Sequence, residues 1–162
     1  QQYIQEMECK SRWLQHLCLQ NDMKSEKDGI EVRPISGCAG VDYLSPGVLT
    51  GSYSYVFGPL LKLLKSKGYE EGINLDAAPY DWRLPPTILQ QRDNYFTDTM
   101  EKVTRLYRQS NNTPVVILCH SMGCKAGHYL FNFVRHQLGE QEGQKWLDTY
   151  IQSYVPVGAP HN

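Results

Sequence analysis

The stretch Pro114-Val115-Val116-Ile117-Leu118-Cys119-His120-Ser121-Met122-Gly123-Cys124 decides how this chain is read. Four consecutive apolar β-formers, Val115 to Leu118, suit a central parallel strand covered on both faces. Past the serine, Ala126, Tyr129, Leu130, Phe133, Val134 and Leu138 recur at helical spacing. The order is therefore strand, sharp turn with Ser121 at its tip, then helix.

A strand–serine–helix turn of this kind is a nucleophile elbow, usually written G-x-S-x-G, in which a strained backbone exposes the serine hydroxyl. Cys119 stands where the first Gly usually lies, so the match is partial. The turn calls for small residues two before and two after the serine, and Cys119 and Gly123 satisfy it. The following helix aims its unpaired N–H groups and positive dipole end at Ser121. The backbone N–H of Met122 is then placed to donate to a developing oxyanion. The competing reading is an ordinary βα turn with an incidental serine.

Length and composition bound the rest. The 162 residues fit one domain, and 41% hydrophobic with 20% charged residues suffice for a core and argue against disorder. A net charge of −1 leaves no electrostatic footprint for nucleic acid. No apolar run approaches the roughly 20 residues needed to span a bilayer. The start lacks the basic and apolar regions of a signal peptide and an initiator Met, and the end stops just past a strand pattern. The chain is therefore expected to be an internal part of something longer. Cys9, Cys18, Cys38, Cys119 and Cys124 form an odd set without a C-x-x-C pair or zinc spacing, so neither a metal nor a cofactor is expected. Cys119 and Cys124 are expected to be small packing residues rather than catalytic thiols. Cys9 and Cys18 are free to pair with a cysteine elsewhere, which leaves the redox compartment open.

Taken in order, residues 1–28 place Trp13, Leu17 and Leu14 on one face of a short helix. That helix is either a peripheral cap on the core or part of a lid or acyl-contact surface. Lys27-Asp28-Gly29 is a turn, and Ile30 to Ile35 alternates as a short strand with Pro34 at its edge or end. Ser36 to Gly51 reads as a long loop. Tyr53, Val56, Phe57, Leu60, Leu61 and Leu64 follow with helical period up to a stop at Gly68. Pro59 falls inside that pattern, so the helix is kinked or starts near Gly58 with Pro in its first turn. Ile73 to Ala78 is the next strand, delivering Pro79-Tyr80-Asp81-Trp82-Arg83-Leu84 at its carboxyl end. Gln91 to Ser110 reads as one amphipathic helix. After the elbow helix, Gly139 to Gly143 is a polar break, and Ile151, Tyr154, Val155 and Val157 mark a last strand.

This alternation predicts the α/β class, a mostly parallel sheet with flanking helices and right-handed crossovers. Chemistry in such sheets lies beyond the carboxyl ends of the strands, which gathers Tyr80–Arg83, Ser121–Met122 and Ala159–Asn162 on one rim. On that rim Asp81 or Arg83 is expected in a buried ion pair with Trp82 filling the core behind the elbow. The functional alternative has Tyr80 or Trp82 lining an acyl pocket.

With Ala77-Ala78-Pro79-Tyr80-Asp81-Trp82-Arg83-Leu84 and His120-Ser121-Met122-Gly123 in view, the sequence resembles the lecithin:cholesterol acyltransferase family. Within that family it is most similar to the phospholipid:diacylglycerol acyltransferases. The resemblance runs from about Trp13, through Gly29 to Pro34 and Gly68 to Glu71, to Val157-Gly158-Ala159-Pro160. It implies a partial α/β-hydrolase fold, with residues 29–162 the central part of the domain, incomplete at both ends, and 1–28 a lid or peripheral segment. It implies an acyl transfer from a phospholipid to an alcohol acceptor, diacylglycerol or a sterol, through an acyl-serine. Ser121 matches the nucleophile and Met122 the backbone half of the oxyanion hole. The other half would come from upstream of residue 1, and the triad Asp and His from downstream of residue 162. The implied setting is a membrane or lipid surface, at the endoplasmic reticulum on its membrane or lumenal side, or outside the cell. A phospholipase A, in which water resolves the acyl-enzyme, and a non-catalytic lipid-binding protein with a vestigial hydrolase fold are the alternatives.

The chain itself offers little for a triad in the order serine, acid, histidine. Asp148 is the only Asp after Ser121, and a strand of about seven residues at about 3.3 Å each separates it from the rim. His128 and His136 lie along the elbow helix, pointing away, and His120 packs beside the elbow. His161 alone shares the rim as a candidate general base. The 162 residues are expected not to turn over by themselves.

Overall fold

The computed structural model describes residues 2–44 and 54–160. Among them are helices α1 (Gln2–Leu17), α2 (Ala39–Asp42), α3 (Gly58–Ser66), α4 (Pro86–Asp93) and α5 (Tyr95–Gln109), strand β1 (Val115–His120), helices α6 (Gly123–Leu138) and α7 (Glu140–Tyr150), and strand β2 (Ile151–Val157). β1 and β2 pair in parallel, from Val116 opposite Ser153 to His120 opposite Val157, with α6 and α7 as the crossover. The chain is α/β, a parallel sheet flanked by helices, as its element pattern predicts.

The core forms where α5 meets α6 under the α4 turn. Phe96 is fully buried, its ring 4.7 Å from Tyr129 and 5.6 Å from Phe133. Leu130 and Val134, one turn apart on α6, join Leu84, Leu89 and Leu147 around it. Burying such a ring stabilises by about 1.5–3 kcal/mol, and this cluster holds the elbow helix against the rest of the chain.

Two expected strands are absent among the described residues, and the hydrogen bonds say why. In 30–35 the Val32 N–H donates to the Glu26 carboxylate at 2.7 Å and the Ile30 N–H closes a turn on Lys27. In 73–78 the Ala77 N–H turns to the Asp76 side chain, Lys102 Nζ takes the Ala77 carbonyl, and Tyr95 Oη donates to the Ala78 carbonyl at 2.8 Å. Side chains thus occupy the groups a ladder would use, leaving one isolated bridge between Glu71 and Leu75.

The helices also depart from expectation in places. The 91–110 helix is two, because Asn94 takes the left-handed conformation (φ 51°) between α4 and α5. Gln90 Oε1 then accepts the N–H groups of Phe96 (2.9 Å) and Thr97 (3.2 Å), satisfying donors the new helix start would orphan. The 139–143 break is instead the start of α7, with Gly143 buried inside it. α3 starts at Gly58 with Pro59 in its first turn, and Gly68 follows its end at φ 91°; Tyr53 lies outside the described residues. α1 is no cap on the core at Trp13 and Leu14, which stand 63% and 54% exposed.

Candidate active site

β1 delivers the chain to Ser121, which is exposed and adopts φ 49°. A left-handed serine costs about 1–3 kcal/mol and persists only when its surroundings enforce it. The enforcement comes from β2, whose Val157 carbonyl accepts the Ser121 N–H at 2.9 Å, continuing the parallel ladder one residue past β1. Met122 is already helical (φ −59°), and Cys124 and Lys125 bond back to the carbonyls of Ser121 and Met122 at 3.0 Å. Helix geometry leaves the N–H groups of Met122 and Gly123, ahead of those bonds, without an intrahelical acceptor. Tyr154 of β2 donates its hydroxyl to the Cys124 carbonyl at 2.7 Å, tying the first turn of α6 to the sheet.

The small-residue requirement falls elsewhere than the motif suggests. A Cβ on Gly123 would meet nothing within 4 Å, whereas one on Gly127 would lie 2.7 Å from Cys119 Sγ. The tight approach joins Cys119 to the second turn of α6, because the sulfur extends across the strand–helix interface rather than into the turn. Burial, with a smaller contribution from Cys124, pushes the Cys119 thiol up to about 11. It is a protonated packing group at neutral pH, and Cys124, 3% exposed, is buried beside the elbow with Sγ 3.8 Å from the Val157 carbonyl.

Ser121 and Met122 line a cavity of about 1460 Å³ together with the apolar side chains of Phe57 and of Leu60 and Leu64 on α3. Tyr80 and Trp82 line the same cavity. Tyr80 is half-buried against Tyr95, ring centroids 5.7 Å apart, and burial raises its phenol pKa. Trp82 is 63% exposed and does not fill the core behind the elbow. The reason lies in its neighbours: Asp81 points inward, its side chain 2% exposed, and Arg83 follows it at 5%, which turns Trp82 outward. Asp81 accepts from Arg83 Nε (2.8 Å) and Nη2 (2.6 Å) and from Arg92 Nη2 (3.0 Å). Burial alone would raise the Asp81 pKa, but these charged donors outweigh it and lower it. The expected buried ion pair is present, and it fixes a loop whose two aromatic residues face the cavity.

The histidines do not assemble with Ser121 among the described residues. His120 meets Phe57 edge-on at 6.2 Å beside the elbow, while His128 and His136 are exposed on α6. His161 and Asn162 lie outside the described residues. Asp148 sits near the end of α7, accepting from Gln144 at 2.8 Å, before β2 begins and so at the opposite end of the strand.

Two contributors carry no local sequence signal. Tyr154 is one residue of a strand pattern, and Glu26 reaches Arg83 across 57 positions of sequence at 2.8 Å.

A family model for lecithin:cholesterol acyltransferase matches residues 2–162. The chain belongs to the lecithin:cholesterol acyltransferase family. Its architecture is accordingly a partial α/β-hydrolase fold. It is 34% identical over 151 residues to a phospholipid–sterol O-acyltransferase of Arabidopsis thaliana, covering 91% of this chain and 23% of that protein. It is 29% identical over 159 residues to a phospholipid:diacylglycerol acyltransferase of Schizosaccharomyces pombe, covering 93% and 23%. To a lysosomal phospholipase A and acyltransferase of Rattus norvegicus it is 34% identical over 137 residues, covering 82% and 29%. The chain thus spans under a third of the length of each of these relatives.

Proposed function

We propose that this chain is the central part of a lipid O-acyltransferase in which Ser121 is the nucleophile. The observation that carries the reading is Ser121 itself, exposed at φ 49° where β1 meets α6, at the border of a cavity with an apolar wall. A phospholipid ester carbonyl at that border would be attacked by Ser121 Oγ, whose proton passes to the triad histidine. The oxyanion formed would accept the Met122 N–H. Collapse of the intermediate breaks the ester C–O bond, and the lysophospholipid leaves with that proton. An alcohol, diacylglycerol or a sterol, then attacks the acyl-serine and gives its proton to the same base, and cleavage of the acyl C–O bond releases the new ester as the base returns that proton to Ser121 Oγ. The acid and base are taken from beyond residue 162 and the second oxyanion donor from before residue 1. Residues 29–162 are the central part of the domain and 1–28 its lid or peripheral segment. Tyr80 and Trp82 line the acyl path, at a membrane or lipid surface of the endoplasmic reticulum or outside the cell. The similarity to a lysosomal phospholipase A and acyltransferase supports a second outcome, release of the acyl chain to water.

The test uses the full-length protein, a phospholipid labelled in its acyl chain, and Ser121→Ala. Loss of acyl release by at least about 10³-fold in the variant is expected. Unchanged release would overturn the nucleophile. Products with and without added diacylglycerol or sterol separate transfer from hydrolysis, and a wild-type protein that moves no acyl chain would leave a lipid-binding role.

A further inference from the structure

The ion pairs around Asp81 extend well beyond the loop that needs them. Arg83 Nη2 reaches Glu26 Oε1 at 2.8 Å, and its Nη1 donates to the Leu17 carbonyl at 3.4 Å. Glu26 in turn accepts the Val32 N–H at 2.7 Å and Arg33 Nη1 at 2.6 Å. Its side chain is 11% exposed, against 5% for Arg83 and 2% for Asp81. On the other side Arg92 bridges Asp81 to Asp93, at 3.0 and 2.7 Å. The guanidiniums of Arg33, Arg83 and Arg92 thus meet the carboxylates of Glu26, Asp81 and Asp93, with the exposed Glu31 at the margin, 3.7 Å from Arg33. A cluster needed only to neutralise Asp81 would stop at Arg83 and Arg92. This one continues into the segment that follows α1 and gathers three separate attachments on one carboxylate.

The position of that carboxylate gives it a role. Tyr80 and Trp82 flank Asp81 and line the cavity beside Ser121, and Arg83 is the next residue. A displacement of Arg83 moves the backbone that carries both aromatic rings. Ser121 and the start of α6 are held independently, by Val157 and Tyr154 of β2. We propose that Glu26 is a positioning residue: it latches the 17–33 segment to Arg83 and so fixes Tyr80 and Trp82 at the edge of the cavity, where, on the lipid-transfer reading above, the acyl donor enters. Burial pushes the Glu26 carboxyl up, but bonds from Arg33, Arg83 and Val32 outweigh it and hold it at about 2, so the latch is charged throughout the neutral range.

Because the latch acts on the donor's path and not on the elbow, its loss has a distinctive kinetic form. Glu26→Gln keeps the shape of the side chain but faces Arg33 or Arg83 with an amide donor in place of an oxygen. In the full-length protein, KM for phospholipid vesicles is expected to rise about fivefold while kcat stays within about twofold. Amide hydrogen exchange in peptides covering residues 78–84 is expected to quicken about tenfold or more. Glu31→Gln serves as the control, since Glu31 is 76% exposed and meets Arg33 only at 3.7 Å; both constants should match wild type. A fall in kcat at constant KM would mark simple loss of folded enzyme and overturn the proposal. Unchanged exchange, or faster exchange with unchanged KM, would overturn it equally. Exchange and the binding of a dansylated fatty acid need no turnover. In a protein that releases no acyl chain they still decide the latch: about fivefold weaker probe binding with faster exchange supports it, and no change in either overturns it.

Discussion

Cys119 Sγ fills the space that a Cβ on Gly127 would enter, 2.7 Å away. This contact explains how the turn from β1 into α6 accommodates Cys where the G-x-S-x-G pattern has Gly: the extra sulfur is absorbed by a glycine one helical turn beyond the serine's own neighbours. Inside α6 an alanine at 127 would ordinarily gain about 0.5–1 kcal/mol of helix propensity. Overpacking costs about 1–3 kcal/mol and outweighs it, since Tyr154 also stands 3.1 Å from the same point. Gly127→Ala is therefore expected to destabilise. In a Cys119→Ala background its cost should fall by about 1 kcal/mol, a coupling that a urea-denaturation double-mutant cycle measures. Additive costs would show that the sulfur and the glycine are independent.

Tyr154 makes a second connection that serves the elbow. Its hydroxyl donates to the Cys124 carbonyl at 2.7 Å, and its ring meets Phe131 edge-on at 5.3 Å. Burial, with help from the neighbouring thiols, raises its phenol to about 12, so it remains a donor well above neutral pH. Tyr154→Phe keeps the ring and deletes one bond, at a cost of about 1 kcal/mol in stability. On the proposed function, in which the N-cap Met122 N–H of α6 serves the oxyanion, kcat for acyl release by the full-length protein should fall about three- to tenfold with KM unchanged. A change confined to KM would place the effect on substrate binding instead.

What was legible in the sequence is what is contiguous. Val115 to Leu118, the turn at Ser121 and the apolar spacing of α6 lie side by side, and strand, elbow and helix follow from them. The segments 30–35 and 73–78 read as strands by composition, but side chains, those of Glu26, Asp76, Lys102 and Tyr95, take the backbone groups a ladder would use. Composition alone does not reveal such competition. Trp82 was misplaced for a related reason. A Trp beside an Asp and an Arg invites burial by its apolar area, yet the pair took the interior because Arg92 and Glu26 complete it from elsewhere. In α7 a buried Gly143 looked like punctuation when its role is close helix approach.

The same charge network sets an acid limit on stability. Free Glu titrates near 4.5, and Glu26 in the folded chain at about 2. A depressed carboxyl contributes stability that is complete above pH 4.5 and is lost as pH falls toward 2. Asp81 is lowered as well and acts in the same direction. Asp22, held at about 2 by its bonds from Ser25 and Lys24 in an exposed turn, titrates in the same window. Urea midpoints are expected to decline through this window, and Glu26→Gln to make the decline shallower. An equally steep decline in the variant would assign the whole effect to the other carboxyls.

Gly143 governs how α7 returns the chain to β2. It is buried within α7, and a Cβ there would fall well inside contact distance of Arg135 Cα and 2.9 Å from the Arg135 nitrogen. Both atoms are backbone, so no rotamer change relieves the clash; the helices themselves must separate. The displacement would reach Leu147 of the core and the start of β2 at Ile151, whose strand supplies Val157 and Tyr154 to the elbow. Gly143→Ala is accordingly expected to cost about 3 kcal/mol or more, at the upper end of overpacking. Gly123→Ala, where a Cβ meets nothing within 4 Å, should cost less than about 0.5 kcal/mol. Thermal unfolding of the two variants side by side checks the contrast. Equal shifts would mean that the α6–α7 approach is not set by the glycine.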